Sequence, residues 1–92
     1  MNENESIEFK ENYTEKIYKE IIAFLNTNSG TIYIGYDDNG NLIGVDNCKD
    51  IEEKISNGIR TNIYPDARIF VSINTGKIED KEYIIIKVSK GI

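Results

Sequence analysis

Histidine and tryptophan are absent from this 92-residue chain, and cysteine, methionine and proline each occur once. Without histidine, the Ser-His-Asp and Cys-His arrangements for nucleophilic catalysis cannot be built. With Cys48 as the sole cysteine, a structural zinc site is excluded as well, and so is an internal disulfide. A lone thiol fits a reducing compartment and reads as buried and idle rather than reactive. No apolar run approaches the roughly 18 residues of a membrane span. The polar, acidic opening MNENESIEFK is not a secretory signal. These absences point to a cytoplasmic protein with no membrane partner.

What is present is an ordinary globular composition, 39% hydrophobic and 29% charged, with isoleucine abundant and no low-complexity tract. The length suits one domain with a modest core, burying roughly 60–65% of the surface its unfolded chain exposes. Sixteen acidic residues against eleven basic ones give a net charge of −5. That balance argues against gripping duplex nucleic acid by overall charge, because phosphate contacts need clustered Lys and Arg. A local basic patch stays open, since placement matters more than the sum.

Hydrophobic periodicity sets out the elements. Ser6 to Lys10 alternates, with Ile7 and Phe9 on one face and Glu8 and Lys10 on the other, which predicts a short half-buried strand. Asn12 with Glu15 forms a capping-box pattern, so a helix is expected from Asn12. Its inner stripe is Ile17, Ile21, Phe24 and Leu25. The helix should leave through Asn26 to Gly30, residues that tolerate left-handed backbone. Thr31 to Tyr36 is β-branched and aromatic, hence a strand. Asn39-Gly40 is a type I′ hairpin signal with positive φ at both positions, and Leu42 to Val45 returns as the partner strand. Gly35 and Gly44 then fall nearly opposite and leave a notch, which a packed helix or a ligand could fill.

Asp50 with Glu53 repeats the capping pattern and opens a second helix along Ile51, Ile55, Ile59 and Ile63, stopped before Pro65. Gly58 weakens that helix by about 1 kcal/mol relative to Ala. Arg68 to Asn74 alternates with Ile69, Val71 and Ile73 inward. A polar connection spans Thr75 to Lys81, and Glu82 to Val88 is apolar enough to lie inside a sheet. The order β-α-β-β-α-β-β predicts an α+β two-layer domain, two helices packed on a mixed, mostly antiparallel sheet.

The stretch AFLNTNSGTIYIGYDDNGNLIGV, flanked by ESIEFK and by an apolar strand ending in VSKG, resembles the AlbA_2 domain. That domain is also called Schlafen AlbA_2 or divergent AAA-4. The family pattern of EFK, then A-F-x-N-T-x-G-G, then G-x-D-D-x-G and G-V, finds here Glu8-Phe9-Lys10, Ala23-Phe24, Asn26-Thr27, Gly30, Gly35, Asp37-Asp38, Gly40 and Gly44-Val45. Ser29 stands where the family has the first of two glycines. The resemblance implies an Alba-like fold and a DNA-binding domain at the N-terminus of bacterial transcriptional-regulator-like proteins. It further implies one domain over 1–92, with further C-terminal domains in a longer protein. DNA is the favoured partner ahead of RNA, and homodimerisation is open.

An older family description is ATP-binding, but no P-loop lysine pattern accompanies these glycines, so ATP is not expected. Schlafen relatives that cleave RNA use three acidic residues, and the resemblance maps these onto Glu3 (or Glu5), Glu8 and Asp37. Clustered carboxylates can hold Mg²⁺ or Mn²⁺ against a phosphodiester, with Glu8 and Asp37 as the metal ligands in that case. The plainer readings are a Glu8–Lys10 surface pair and turn chemistry for Asp37 and Asp38. Candidate phosphate contacts are Lys10, Lys16, Lys19, Arg60 and Arg68, each also readable as solvated charge. Tyr33 and Tyr36 either stack on bases or cover the sheet. A ligand-free dimerisation or scaffold module is the remaining alternative.

Overall fold

Two isoleucine-rich helices need an apolar face to cover, and the alternating strands supply it. The computed structural model describes residues 6–63 and 68–90. The elements are β1 (Ile7–Lys10), α1 (Ile17–Asn26), β2 (Gly30–Ile34), α2 (Cys48–Asn62), a 3₁₀ turn (Arg68–Phe70), β3 (Val71–Ile78) and β4 (Lys81–Val88). Together they form a four-stranded sheet in the order β1-β2-β4-β3. β1 pairs parallel with β2, while β2–β4 and β4–β3 are antiparallel. Both helices pack on one face, giving the expected α+β two-layer domain and the order β-α-β-β-α-β-β, in which the third β element is only the isolated bridge of Leu42 to Tyr36. As expected from its apolar run, β4 is interior.

The core lies between the layers. Ile17 and Ile21 of α1, Ile55 and Ile59 of α2, Ile32 and Ile34 of β2, and Ile84 and Ile86 of β4 are all fully buried. Each such side chain contributes roughly 1.5–3 kcal/mol of transfer free energy, so these positions hold the layers together. The helices touch at Gly58, where the ring of Tyr18 on α1 lies against α2. Proline would stop α2 at Pro65, which lies outside the described residues; α2 itself ends at Asn62.

Several local expectations are overturned. α1 begins at Ile17, not Asn12, and no side chain caps it. Ahead of it, Ile17 N–H bonds Thr14 O (3.2 Å) and Tyr18 N–H bonds Glu15 O (3.3 Å), tight 3₁₀-type turns. Tyr13, half-buried and bonded to Tyr18 at 2.9 Å, pins this segment to the core and keeps Asn12 off the helix axis. The helix exit uses no left-handed residue. Thr27 takes φ −122°, and its hydroxyl donates to Ala23 O at 2.6 Å, satisfying a last-turn carbonyl. α2 starts at Cys48, ahead of the Asp50–Glu53 pattern, after left-handed Asn47 (φ 57°). Burial of Cys48 against Tyr83 O (3.7 Å) draws that first turn inward.

The two hairpins differ from expectation in opposite ways. At Asp37–Asn41 only Gly40 has positive φ (82°), so the turn is not type I′. Gly40 N–H bonds Asp37 O at 3.0 Å and Asp37 N–H bonds Asn41 O at 2.9 Å, a type I turn with a bulge at glycine. The return of Leu42–Val45 is reduced to a single antiparallel bridge, Tyr36 with Leu42. Gly35 (φ 98°) and Gly44 (φ 89°) do meet, with Gly44 N–H on Gly35 O at 2.9 Å. What fills their notch is backbone rather than a helix: a Cβ on Gly35 would sit 3.1 Å from Glu82 O. Conversely, the supposed connection Thr75–Lys81 is mostly strand. β3 runs to Ile78, and Glu79 and Asp80 (φ 50° and 67°) make a two-residue turn into β4. Ile69 lies in the 3₁₀ turn and is 85% exposed, not inward.

Candidate nucleic-acid interface

Register decides which side chains share a face. Glu8 pairs with Ile32 and Lys10 with Ile34, so both charged residues of β1 lie on the helix-covered side. Lys10 reaches Glu20 of α1 at 2.9 Å and Glu8 at 3.9 Å. Phe9, paired with Tyr33, goes to the other face. It is 3% exposed there without belonging to the helix-side core. The apolar side of β1 is therefore the side away from the helices, contrary to the simplest inward-facing reading.

On that uncovered face the aromatic side chains gather. Phe9 lies 5.5 Å from Tyr33 and 6.1 Å from Tyr36 between ring centroids. Tyr33 meets Tyr36 edge-on at 5.3 Å, and Tyr36 meets Tyr83 at 6.3 Å. Positive φ at Gly35 returns Tyr36 to the face of Tyr33 despite their odd spacing. The three tyrosines are half-buried. Burial, with Tyr83 and Tyr33 alongside, pushes the Tyr36 phenol above its ordinary pKa, so it stays a neutral hydrogen-bonding group. By register, Thr31, Ser72, Asn74, Ile85 and Lys87 share this face. Tyr83 escaped attention in the sequence; its signal was the alternation with buried Ile84 and Ile86.

The acidic candidates belong to different segments of the chain. Glu3 and Glu5 lie outside the described residues. Glu8 sits beside Ile32 on β1, whereas Asp37 lies past the end of β2. The Asp37 carboxylate accepts from Asn41 N–H and Asn39 N–H, both at 2.9 Å, and from Asn41 Nδ2 at 3.3 Å. Those bonds, the Asn41 backbone N–H first, hold its carboxyl below the usual range. Among the described residues no group of three His, Cys, Asp or Glu side chains converges to hold a metal ion.

The basic candidates divide between places. Lys16, the N-cap of α1, and Lys19 are exposed on the helix layer, near Tyr18, Ile22 and Asn62. Arg60 lies on α2 toward β3 and donates to Asn57 Oδ1 at 3.0 Å. Arg68 opens the 3₁₀ turn before β3. Of the motif residues, Asn26 and Thr27 end α1, Gly30 starts β2 under the Phe24 ring, and Gly35, Gly40 and Gly44 shape the hairpin.

Among the described residues, one face of the sheet is covered by the two helices and the other carries the aromatic cluster. The chain belongs to the Schlafen AlbA_2 family, whose model matches residues 3–92. Membership is consistent with a nucleic-acid-related role. No curated protein matches the sequence. No helix among the described residues is long and apolar enough to cross a membrane.

Proposed function

We propose that this domain binds nucleic acid, DNA ahead of RNA, within a cytoplasmic, transcriptional-regulator-like bacterial protein that carries further domains. The observation that carries the reading is the sheet face away from the helices, where Tyr33 and Tyr36 lie against Phe9 and Tyr83 meets Tyr36. Tyrosine rings on a sheet accept unstacked bases at about 1–3 kcal/mol per base. Thr31, Ser72 and Asn74 offer hydrogen bonds beside them, and Lys87 offers a phosphate contact. A chain of net charge −5 needs such a stacking contribution, because its electrostatic term is weak.

The alternative of a metal-dependent endoribonuclease draws less support. Asp37 has its carboxylate oxygens engaged in its own turn, and Glu8 faces the helices beside Lys10. The test is fluorescence anisotropy with labelled single-stranded DNA, duplex DNA and RNA across a salt series. Single-stranded DNA should bind tighter than its duplex, and Tyr33→Ala should weaken it while the fold is kept. Absence of binding by all three at low salt overturns the proposal.

A further inference from the structure

The edges of the sheet are unlike each other. β1 is four residues long and carries Glu8 and Lys10, the usual devices that blunt an edge. β3 is eight residues long, VSINTGKI, with Lys77 as its only charge and no proline. Its one partner among the described residues is β4. Ile69, 85% exposed, precedes this edge, and Ile78, 53% exposed, ends it. Below the edge runs a groove of about 410 Å³ lined by Glu52, Ser56, Ile59 and Arg60 of α2 and by Val71 and Ile73 of β3.

The α2 side of this groove has a symmetry of its own. Glu52, Ser56 and Arg60 are spaced i, i+4, i+8 and form one row along the helix. Ser56 is equidistant in sequence from the acidic end and the basic end (56 − 52 = 60 − 56 = 4). A two-fold axis through Ser56 sets Glu52 against the partner's Arg60, and Arg60 against the partner's Glu52. Ser56 lines the groove together with Ile73, near the middle of β3, so the same axis crosses the strand edge. Antiparallel pairing centred on Ile73 or Asn74 brings Ile78 beside the 3₁₀ turn of the second copy, the turn that carries Ile69. One operation therefore satisfies the open ladder, covers Ile69 and Ile78 and pairs both charges.

We propose that this chain forms a two-fold homodimer through antiparallel pairing of β3, with the Glu52–Ser56–Arg60 row of α2 meeting its own copy. The aromatic face stays uncovered and is doubled in extent on a continuous sheet. The occupant is a second copy rather than a different protein because the charge row is complementary to itself.

Sedimentation equilibrium of the chain, with Glu52→Arg, Arg60→Glu and the double swap, tests this. The wild type should be dimeric. Each single reversal should raise the dissociation constant at least roughly tenfold, since like charges then oppose each other twice across the axis. The double swap should restore dimerisation toward wild type, and circular dichroism should show all four proteins folded. A wild type that stays monomeric up to about 100 μM, a concentration at which micromolar association would be evident, overturns the proposal. So do single reversals without effect, or a double swap as weak as its parents.

Discussion

The hydroxyl of Tyr18 occupies the space that a Cβ on Gly58 would need. This contact joins α1 to α2, and the same hydroxyl donates to Lys54 O at 3.3 Å and lies 2.9 Å from the Tyr13 hydroxyl. Burial and the Tyr13 contact raise its pKa well above the ordinary phenol value, so it remains a neutral donor.

Gly58→Ala should therefore destabilise the domain, although alanine is the better helix former. Propensity favours Ala by about 1 kcal/mol, whereas overpacking a buried site costs roughly 1–3 kcal/mol. Displacing the hydroxyl from its partners adds about 1 kcal/mol. Urea denaturation should show a net loss of about 1–3 kcal/mol. In Tyr18→Phe, which has no hydroxyl, the further cost of Gly58→Ala should shrink, and strict additivity would refute the contact.

Gly35→Ala should be more damaging than Gly40→Ala. Both have positive φ, but a Cβ at Gly35 also comes within 3.1 Å of Glu82 O, a backbone atom that cannot swing aside. Backbone strain of this kind costs about 1–3 kcal/mol. Equal midpoints for the two variants in chemical denaturation would show that the β4 backbone gives way.

Asp37 links stability to acid. Its folded pKa is depressed, so its stabilising effect is fully present above the unfolded value of about 4 and is lost as pH falls through the lower folded value. Asp37→Ala should be less stable than wild type at neutral pH, and the gap should close in strong acid. A gap independent of pH would show that the Asn39 and Asn41 bonds are not made by the carboxylate.

Lys10 is bound into the fold before it is available to any phosphate. Substitution by Met leaves Glu20 without its 2.9 Å partner, and Glu20 Oε1 is already buried with no hydrogen bond among the described residues. Because both side chains are 23% exposed, solvent screening limits the cost to about 1 kcal/mol, falling in high salt. Lys10→Met should thus move thermal stability more than nucleic-acid affinity. The reverse ranking would make Lys10 a phosphate contact.

The strands, the helical stripes and the two-layer class were legible in the chain because each is a local period. Ile17 and Ile21 repeat at helical spacing, Ile32 and Ile34 alternate, and EYIIIKV is apolar enough to belong inside a sheet. Helix starts were less legible: Asn12 and Asp50 carry good capping chemistry, but Tyr13 and Cys48 are anchored in the tertiary structure and override it. The acidic motif was visible as residues, yet its geometry was not. Only the register of β1 on β2 sends Glu8 and Lys10 toward the helices and Phe9 toward the tyrosines. By itself the sequence determined the two helices and the strands with strong alternation, since periodicity needs only neighbours along the chain. It did not determine that Leu42–Val45 would form only a bridge or that β3 would run on to Ile78. Tertiary structure decided which face each strand shows to what, because that depends on partners brought from distant segments.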